Sequence, residues 1–108
     1  MAPTFFFMNI RSWEKIPLEL ADVFLPDEPG VYIVMSAKAG SNRGQNFTRP
    51  IYVGCSQNLR KRWADGHHKL LACLREGGRE IRYVVSDDYK AEEAALIAKL
   101  TPILNDRP

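Results

Sequence analysis

The sequence predicts an α+β domain: a small three-stranded antiparallel β-sheet flanked by α-helices, with an N-terminal extension. Runs rich in β-branched and aromatic residues recur at Val31–Met35, Ile51–Val53 and Glu80–Ser86, and each is bounded by turn-forming or polar residues. Two further stretches, one after Leu59 and one around Leu96, repeat their apolar residues at helical spacing. At 108 residues the chain has room for one modest core. The expected division is an extension over 1–27 packed on a core domain over 28–108.

The elements follow in order. Thr4 to Ile10 has the composition of an edge strand. Trp13 to Phe24 reads as one or two helical turns, with Pro17 at a first helical position and Leu18, Leu20, Ala21 and Phe24 as its apolar face. Leu25-Pro26-Asp27-Glu28-Pro29-Gly30 turns the chain. Val31 to Met35 is the first core strand. Ser36 to Pro50 is polar and longer than most connectors; with Arg43 and Arg49 it is either a binding element or a plain connection. Ile51 to Val53 is the second strand and Gly54 ends it. Ser56 suits an N-cap, and Gln57 to Arg75 reads as one helix stopped by Gly77-Gly78. Its inward stripe is Leu59, Trp63, Leu70, Cys73 and Leu74, with Arg62 and His67 on the same stripe. Glu80 to Ser86 is the third strand. Asp87 or Asp88 caps a last helix whose stripe is Leu96, Ile97 and Leu100, headed by Glu93, with Glu92 pointing off it. Pro102 ends that helix, and Ile103-Leu104-Asn105 packs back.

Alternation places Val31, Ile33, Met35, Ile51 and Val53 on one face of the hairpin. Tyr32 and Tyr52 then share the other, with Gly54 leaving room beside them. Each notable side chain also has an ordinary role open to it. The tyrosines can be a stabilising cross-strand pair. Arg62 can lay its stem on the core and keep its head in water. Glu93 can complement a helix dipole, and His67 can be a hydrogen-bonded packing residue.

Composition narrows the class. The chain is 45% hydrophobic and 26% charged, as in soluble globular domains, and holds no apolar run near the ~20 residues that span a membrane. Phe5-Phe6-Phe7-Met8 lacks a basic lead and is soon followed by Arg11, so it reads as a strand or packing segment, not a signal peptide. Cys55 and Cys73 form no CxxC pair; two free thiols fit a reducing compartment, and a cytoplasmic protein is expected. With His67 and His68 they offer too thin a ligand set for zinc. Net charge is +2, yet residues 38–82 carry +7 and the remainder −5. A basic middle is the footprint of a phosphate-binding face, or else a solvated charged surface. Arg43, Arg49, Arg60, Lys61 and Lys69 are its nucleic-acid-binding candidates.

Gly30-Val31-Tyr32, Tyr52-Val53-Gly54, Asn58-Leu59, Arg62, and Glu93-Ala94-Ala95-Leu96-Ile97 followed by Pro102 and Asn105 together resemble the GIY-YIG nuclease family. The name-giving triplets are present with Val for Ile in each, and the resemblance spans about residues 28–106. It implies a stand-alone, metal-dependent endonuclease acting on DNA, with RNA left open. Glu93 would hold one Mg²⁺ or Mn²⁺, and Arg62 would bind and polarise the scissile phosphate. One of Tyr52 and Tyr32 would activate or position the attacking water while the other orients it. Gly30 and Gly54 would shape turns, Asn105 would tie the tail to the site, and His67 stands near where relatives carry a histidine. The residue types suit the task. A guanidinium matches phosphate oxygens, a hard cation on one carboxylate supplies Lewis acidity, and a phenol with its pKa near 10 acts as base only if cations lower that value. One departure is Cys55, where many members carry lysine or another polar residue, so no fixed cation is supplied there. A binding module with weakened catalysis, and a subunit needing a protein partner or a second copy, are the rival readings.

Overall fold

The computed structural model describes residues 10–37 and 47–105. The proposed strand over Thr4–Ile10 and the candidate Arg43 lie essentially outside them. Among the described residues four strands form one antiparallel sheet: β1 (Glu14–Pro17), β2 (Gly30–Ala37), β3 (Phe47–Ser56) and β4 (Gly78–Val85), in the order β1-β4-β2-β3. The helices are α1 (Ala21–Phe24), α2 (Leu59–Ala64), α3 (Leu70–Arg75) and α4 (Tyr89–Leu100), with 3₁₀ turns at Ile10–Ser12 and Leu18–Leu20. No helix among the described residues is long and apolar enough to cross a membrane.

The sheet has one strand more than expected. Glu14–Pro17 pairs with β4, Ile16 opposite Ile81, where helical turns were anticipated. Four residues are too few to display a period. Pro17, with φ −62 and ψ 138, is extended and closes an edge strand, where a missing N–H leaves no ladder bond unmade. The 3₁₀ turn and α1 follow directly, so the helical reading holds only for the second half of that stretch.

The helix expected over Gln57–Arg75 is two helices. Gly66 between them has φ +85, a left-handed conformation that glycine adopts without a Cβ penalty. Ser56 does not cap it, because β3 runs through Gly54 to Ser56. Asn58 is the cap: its Oδ1 accepts from the Lys61 N–H at 3.0 Å. Leu74, assigned to the inward stripe, is exposed, because the turn at Gly66 breaks the register between the two helices.

Both faces of the sheet are covered. Tyr32, Val34, Ile51, Tyr52 and Ile81 pack against Leu18, Ala21, Leu25, Leu59, Trp63 and Cys73. On the other side Val31, Ile33, Met35 and Val53 pack against Trp13 and Leu96, with Ile97 and Leu100 at the margin. Ile51 lies with Tyr52, not with Val53 as strict alternation requires. The pairing slips between Val34 and Met35, opposite this residue, and a bulge places two consecutive side chains on one side.

Candidate active site

Tyr32 on β2 and Tyr52 on β3 emerge on the same face, as alternation predicts, with ring centroids 6.3 Å apart. Tyr32 is fully buried and Tyr52 nearly so. Gly54 faces Tyr32 across the pair, and a Cβ there would collide with the phenol ring and hydroxyl. The glycine is therefore required by close approach, not by a turn.

Gly66 turns the chain so that His67 points inward, where it is buried. Its Nε2 is 2.5 Å from the Tyr32 hydroxyl, and its Nδ1 accepts from the Lys69 backbone N–H at 3.0 Å. An Nδ1 that accepts carries no proton. The neutral ring therefore holds its proton on Nε2 and donates it to Tyr32. Burial, then the neighbouring Arg62, His68 and Lys69, push the His67 pKa down to about 3, so the neutral form prevails at ordinary pH. Trp63 stacks on His67 with centroids 4.1 Å apart and planes 23° apart, and meets Tyr32 edge-on at 5.4 Å.

Arg62 is exposed, not inward. On the short α2 the buried places are taken by Leu59 and Trp63, and Arg62 stands at the rim beside them. Its Nη2 is 3.4 Å from Nδ1 of His68. The guanidinium still bears on the tyrosines, against a larger effect of burial. Burial raises the Tyr32 pKa well above the ordinary tyrosine value and Tyr52 adds to the rise, while hydrogen bonding and charge from Arg62 oppose it. Tyr52 is also raised, by burial first and by Glu93 and Cys73. Arg62 and a hydrogen bond from Tyr32 act the other way.

Glu93 on α4 is half-buried and acts on two β3 groups, Tyr52 and Cys55. Burial, then the charge of Glu93 and a hydrogen bond to it, push the Cys55 thiol up to about 12, so the sulfur stays neutral. Glu92, expected off the packed face, is the more buried carboxylate of the pair at 4% exposure. The packed face of α4 is centred on Leu96, and Glu92 lies one turn before it. The structure therefore gathers Tyr32, Tyr52, Arg62, Glu93 and His67 around β3. Among the described residues no group of three or more His, Cys, Asp or Glu side chains is placed to hold a metal ion. A cation here would have Glu93 and water as ligands, which suits a hard ion such as Mg²⁺ and not zinc.

Asn105 reaches the outer edge of β3. Its Oδ1 accepts from the Val53 N–H and its Nδ2 donates to the Val53 carbonyl, both at 2.8 Å, while the Leu104 N–H donates to the Ile51 carbonyl at 2.9 Å. The amide thus completes the ladder of an edge strand at Val53, the residue next to the catalytic candidate Tyr52.

The basic residues divide. Arg49 donates to Ser36 Oγ at 3.0 Å and to the Glu76 carbonyl at 3.1 Å; Arg60 donates to the Leu25 carbonyl at 3.2 Å and pairs with Asp27. Lys61 and Arg62 instead line an open cavity of about 440 Å³ with Gln57, Asn58 and Asp65. The N-cap role of Asn58 and the inward turn at Gly66 are the features that sequence reasoning missed. The Asn-Leu and Gly-His pairs were their only local signals.

No protein-family model matches the chain, and no curated protein matches it. Solved structures do. Two point mutants of the GIY-YIG N-terminal endonuclease domain of UvrC from Thermotoga maritima, each bound to its catalytic divalent cation, are 27% and 28% identical to it. Each covers 83% of this chain and 96% of the other, with TM-score 0.61. The same domain bound to magnesium is 23% identical over 82% of this chain and 96% of the other, with TM-score 0.59. This chain has the fold of the GIY-YIG endonuclease family.

Proposed function

We propose that this protein is a divalent-metal-dependent endonuclease that hydrolyses phosphodiester bonds in DNA. The observation that carries the reading is the convergence of Tyr32, Tyr52, Arg62 and Glu93, from four separate elements, around β3. The similar UvrC domain, with its catalytic cation, supports a nuclease with a metal requirement. Bound at Glu93, Mg²⁺ or Mn²⁺ supplies Lewis acidity and stabilisation of the leaving oxygen. Arg62, exposed and with no carboxylate partner among the described residues, binds the scissile phosphate and stabilises its growing charge.

The tyrosines take different parts. Tyr32 accepts from His67 Nε2–H, which leaves its own proton to be donated onward, and Tyr52 is the acceptor. Tyr52 is the less buried of the two and is stabilised as phenolate by both Arg62 and Tyr32. It takes the proton of the attacking water, while Tyr32 remains a phenol and orients it. Lys61 and Lys69 steer the strand, and RNA and a protein partner are alternative occupants of the same basic surface.

The test is cleavage of supercoiled plasmid and branched DNA with Mg²⁺ or Mn²⁺, beside Glu93→Ala. The expected result is metal-dependent cutting that Glu93→Ala abolishes; a fully active Glu93→Ala protein ends the metal role. One observation favours a second reading. Cys55 is a neutral thiol where many GIY-YIG enzymes place a cation, so the scaffold would bind DNA with weakened catalysis. Salt-sensitive binding without cutting would select that reading.

A further inference from the structure

Trp63 is the one buried side chain among the described residues whose polar atom has no hydrogen-bond partner: its Nε1–H is buried and unpaired. Leucine would fill the same core position without stranding a donor. Buried unpaired donors are rare because they forfeit their bonds to water, so an indole kept here calls for a reason other than filling space. The neighbours supply one. The indole lies flat on the His67 imidazole, and that imidazole stands nearly perpendicular to both catalytic tyrosines, at 85° to Tyr32 and 84° to Tyr52. His67 is held at its two nitrogens by Lys69 N–H and by the Tyr32 hydroxyl. Two in-plane bonds leave a ring free to tilt about the line joining them. A flat surface against its face removes that freedom.

We propose that Trp63 is a positioning residue for the cleavage reaction. It holds His67 in the plane where Nε2–H meets the Tyr32 hydroxyl, so that Tyr32 always presents its own proton toward Tyr52. The proposal rests on the nuclease reading above. It assigns Trp63 no contact with DNA or metal. The proton order it maintains is His67 donating to Tyr32 and Tyr32 donating to Tyr52. If His67 tilts away from the Lys69 N–H and changes tautomer, Nε2 becomes an acceptor, Tyr32 must instead donate to His67, and Tyr52 loses the hydrogen bond that favours its phenolate.

The test uses the full chain with Trp63→Phe and Trp63→Leu, and reads the His67 ring nitrogens by ¹⁵N NMR beside steady-state cleavage. Wild type shows a single neutral tautomer protonated at Nε2. Trp63→Leu, which fills volume but offers no flat face, gives mixed or averaged tautomers and kcat lower by about 10- to 100-fold, with KM within about twofold. Trp63→Phe keeps a stacking ring, restores the single tautomer and recovers most of kcat. A wild-type His67 protonated at Nδ1 overturns the proposal without any variant, which covers the case of a leucine variant that fails to fold. Equal losses in the phenylalanine and leucine variants, or an unchanged leucine variant, also overturn it. Wild-type protein with the expected tautomer and no cleavage refutes the nuclease reading, and with it the catalytic purpose, while leaving the ring geometry established.

Discussion

A phenol buried against a second phenol is a poor base, and Tyr52 becomes one only through its neighbours. Burial and Glu93 hold its pKa above the ordinary value, while Arg62 and Tyr32 draw it down. A cation on Glu93 would reverse the sign of the Glu93 contribution, coupling metal binding to base strength. Tyr52→Phe should therefore lower kcat by about 10²- to 10⁴-fold with DNA affinity little changed. In wild type kcat should rise with pH on the alkaline side. Steady-state rates against pH check both; a flat profile would mean that no tyrosine titrates in the reaction. His67 carries a separate prediction about stability. Its folded pKa, about 3, lies below the unfolded value near 6.5. Between those values the unfolded chain binds the proton that the folded chain refuses. Stability is thus complete above about pH 6.5 and is lost as pH falls toward 3. His67→Gln, which keeps an N–H for Tyr32 but does not titrate, should flatten this loss in urea melts taken from pH 7 to pH 4.

At the scale of elements, the edge of β3 is the decisive feature. An edge strand exposes backbone groups that invite pairing with other chains, and here a side-chain amide occupies the central pair. Asn105→Ala should cost about 1–3 kcal/mol in chemical denaturation, because both Val53 groups lose their partner in a half-buried setting. Cleavage should fall too, since Tyr52 precedes Val53 and Cys55, the partner of Glu93, follows it by two. Asn105→Asp keeps the acceptor and sets a carboxylate against the Val53 carbonyl, so it should be no better than alanine. An Asn105→Ala protein of unchanged stability would show the clasp to be idle. Length alone hid the β1 strand, whereas Gly66 was visible in the sequence and its meaning was not. A glycine inside a helical pattern is tolerated in many helices, and only here does φ +85 divide one helix into two.

Across the whole molecule, charge is less concentrated for binding than a count of residues suggests. The +7 of residues 38–82 includes Arg49 and Arg60, which tie strand to helix and helix to loop. Lys61→Ala should weaken DNA binding about equally across sequences and lower the slope of log affinity against log salt by about one. Arg49→Ala should leave that slope nearly unchanged and reduce stability. Fluorescence anisotropy over a salt series, beside urea melts, separates the two, and a full unit of slope lost in Arg49→Ala would return it to the DNA-binding surface.

Patterns along the chain were enough for the α+β class, three of the four strands described, the terminal helix and the shared face of Tyr32 and Tyr52. These follow from steric propensity and from burial repeating every two or 3.6 residues, which are properties of neighbours along the chain. Packing between separate elements set the rest: Ile51 crosses to the tyrosine face, Arg62 stands at the rim, Glu92 is the more buried of its pair, and His67 donates to Tyr32. Each depends on a partner distant in sequence: the bulge opposite Val34, the short α2 beside β3, the packing of α4 on the far face, the Tyr32 hydroxyl against the imidazole. Periodicity states which side of an element is buried. What that side meets, and which way a proton points there, is settled when the elements pack.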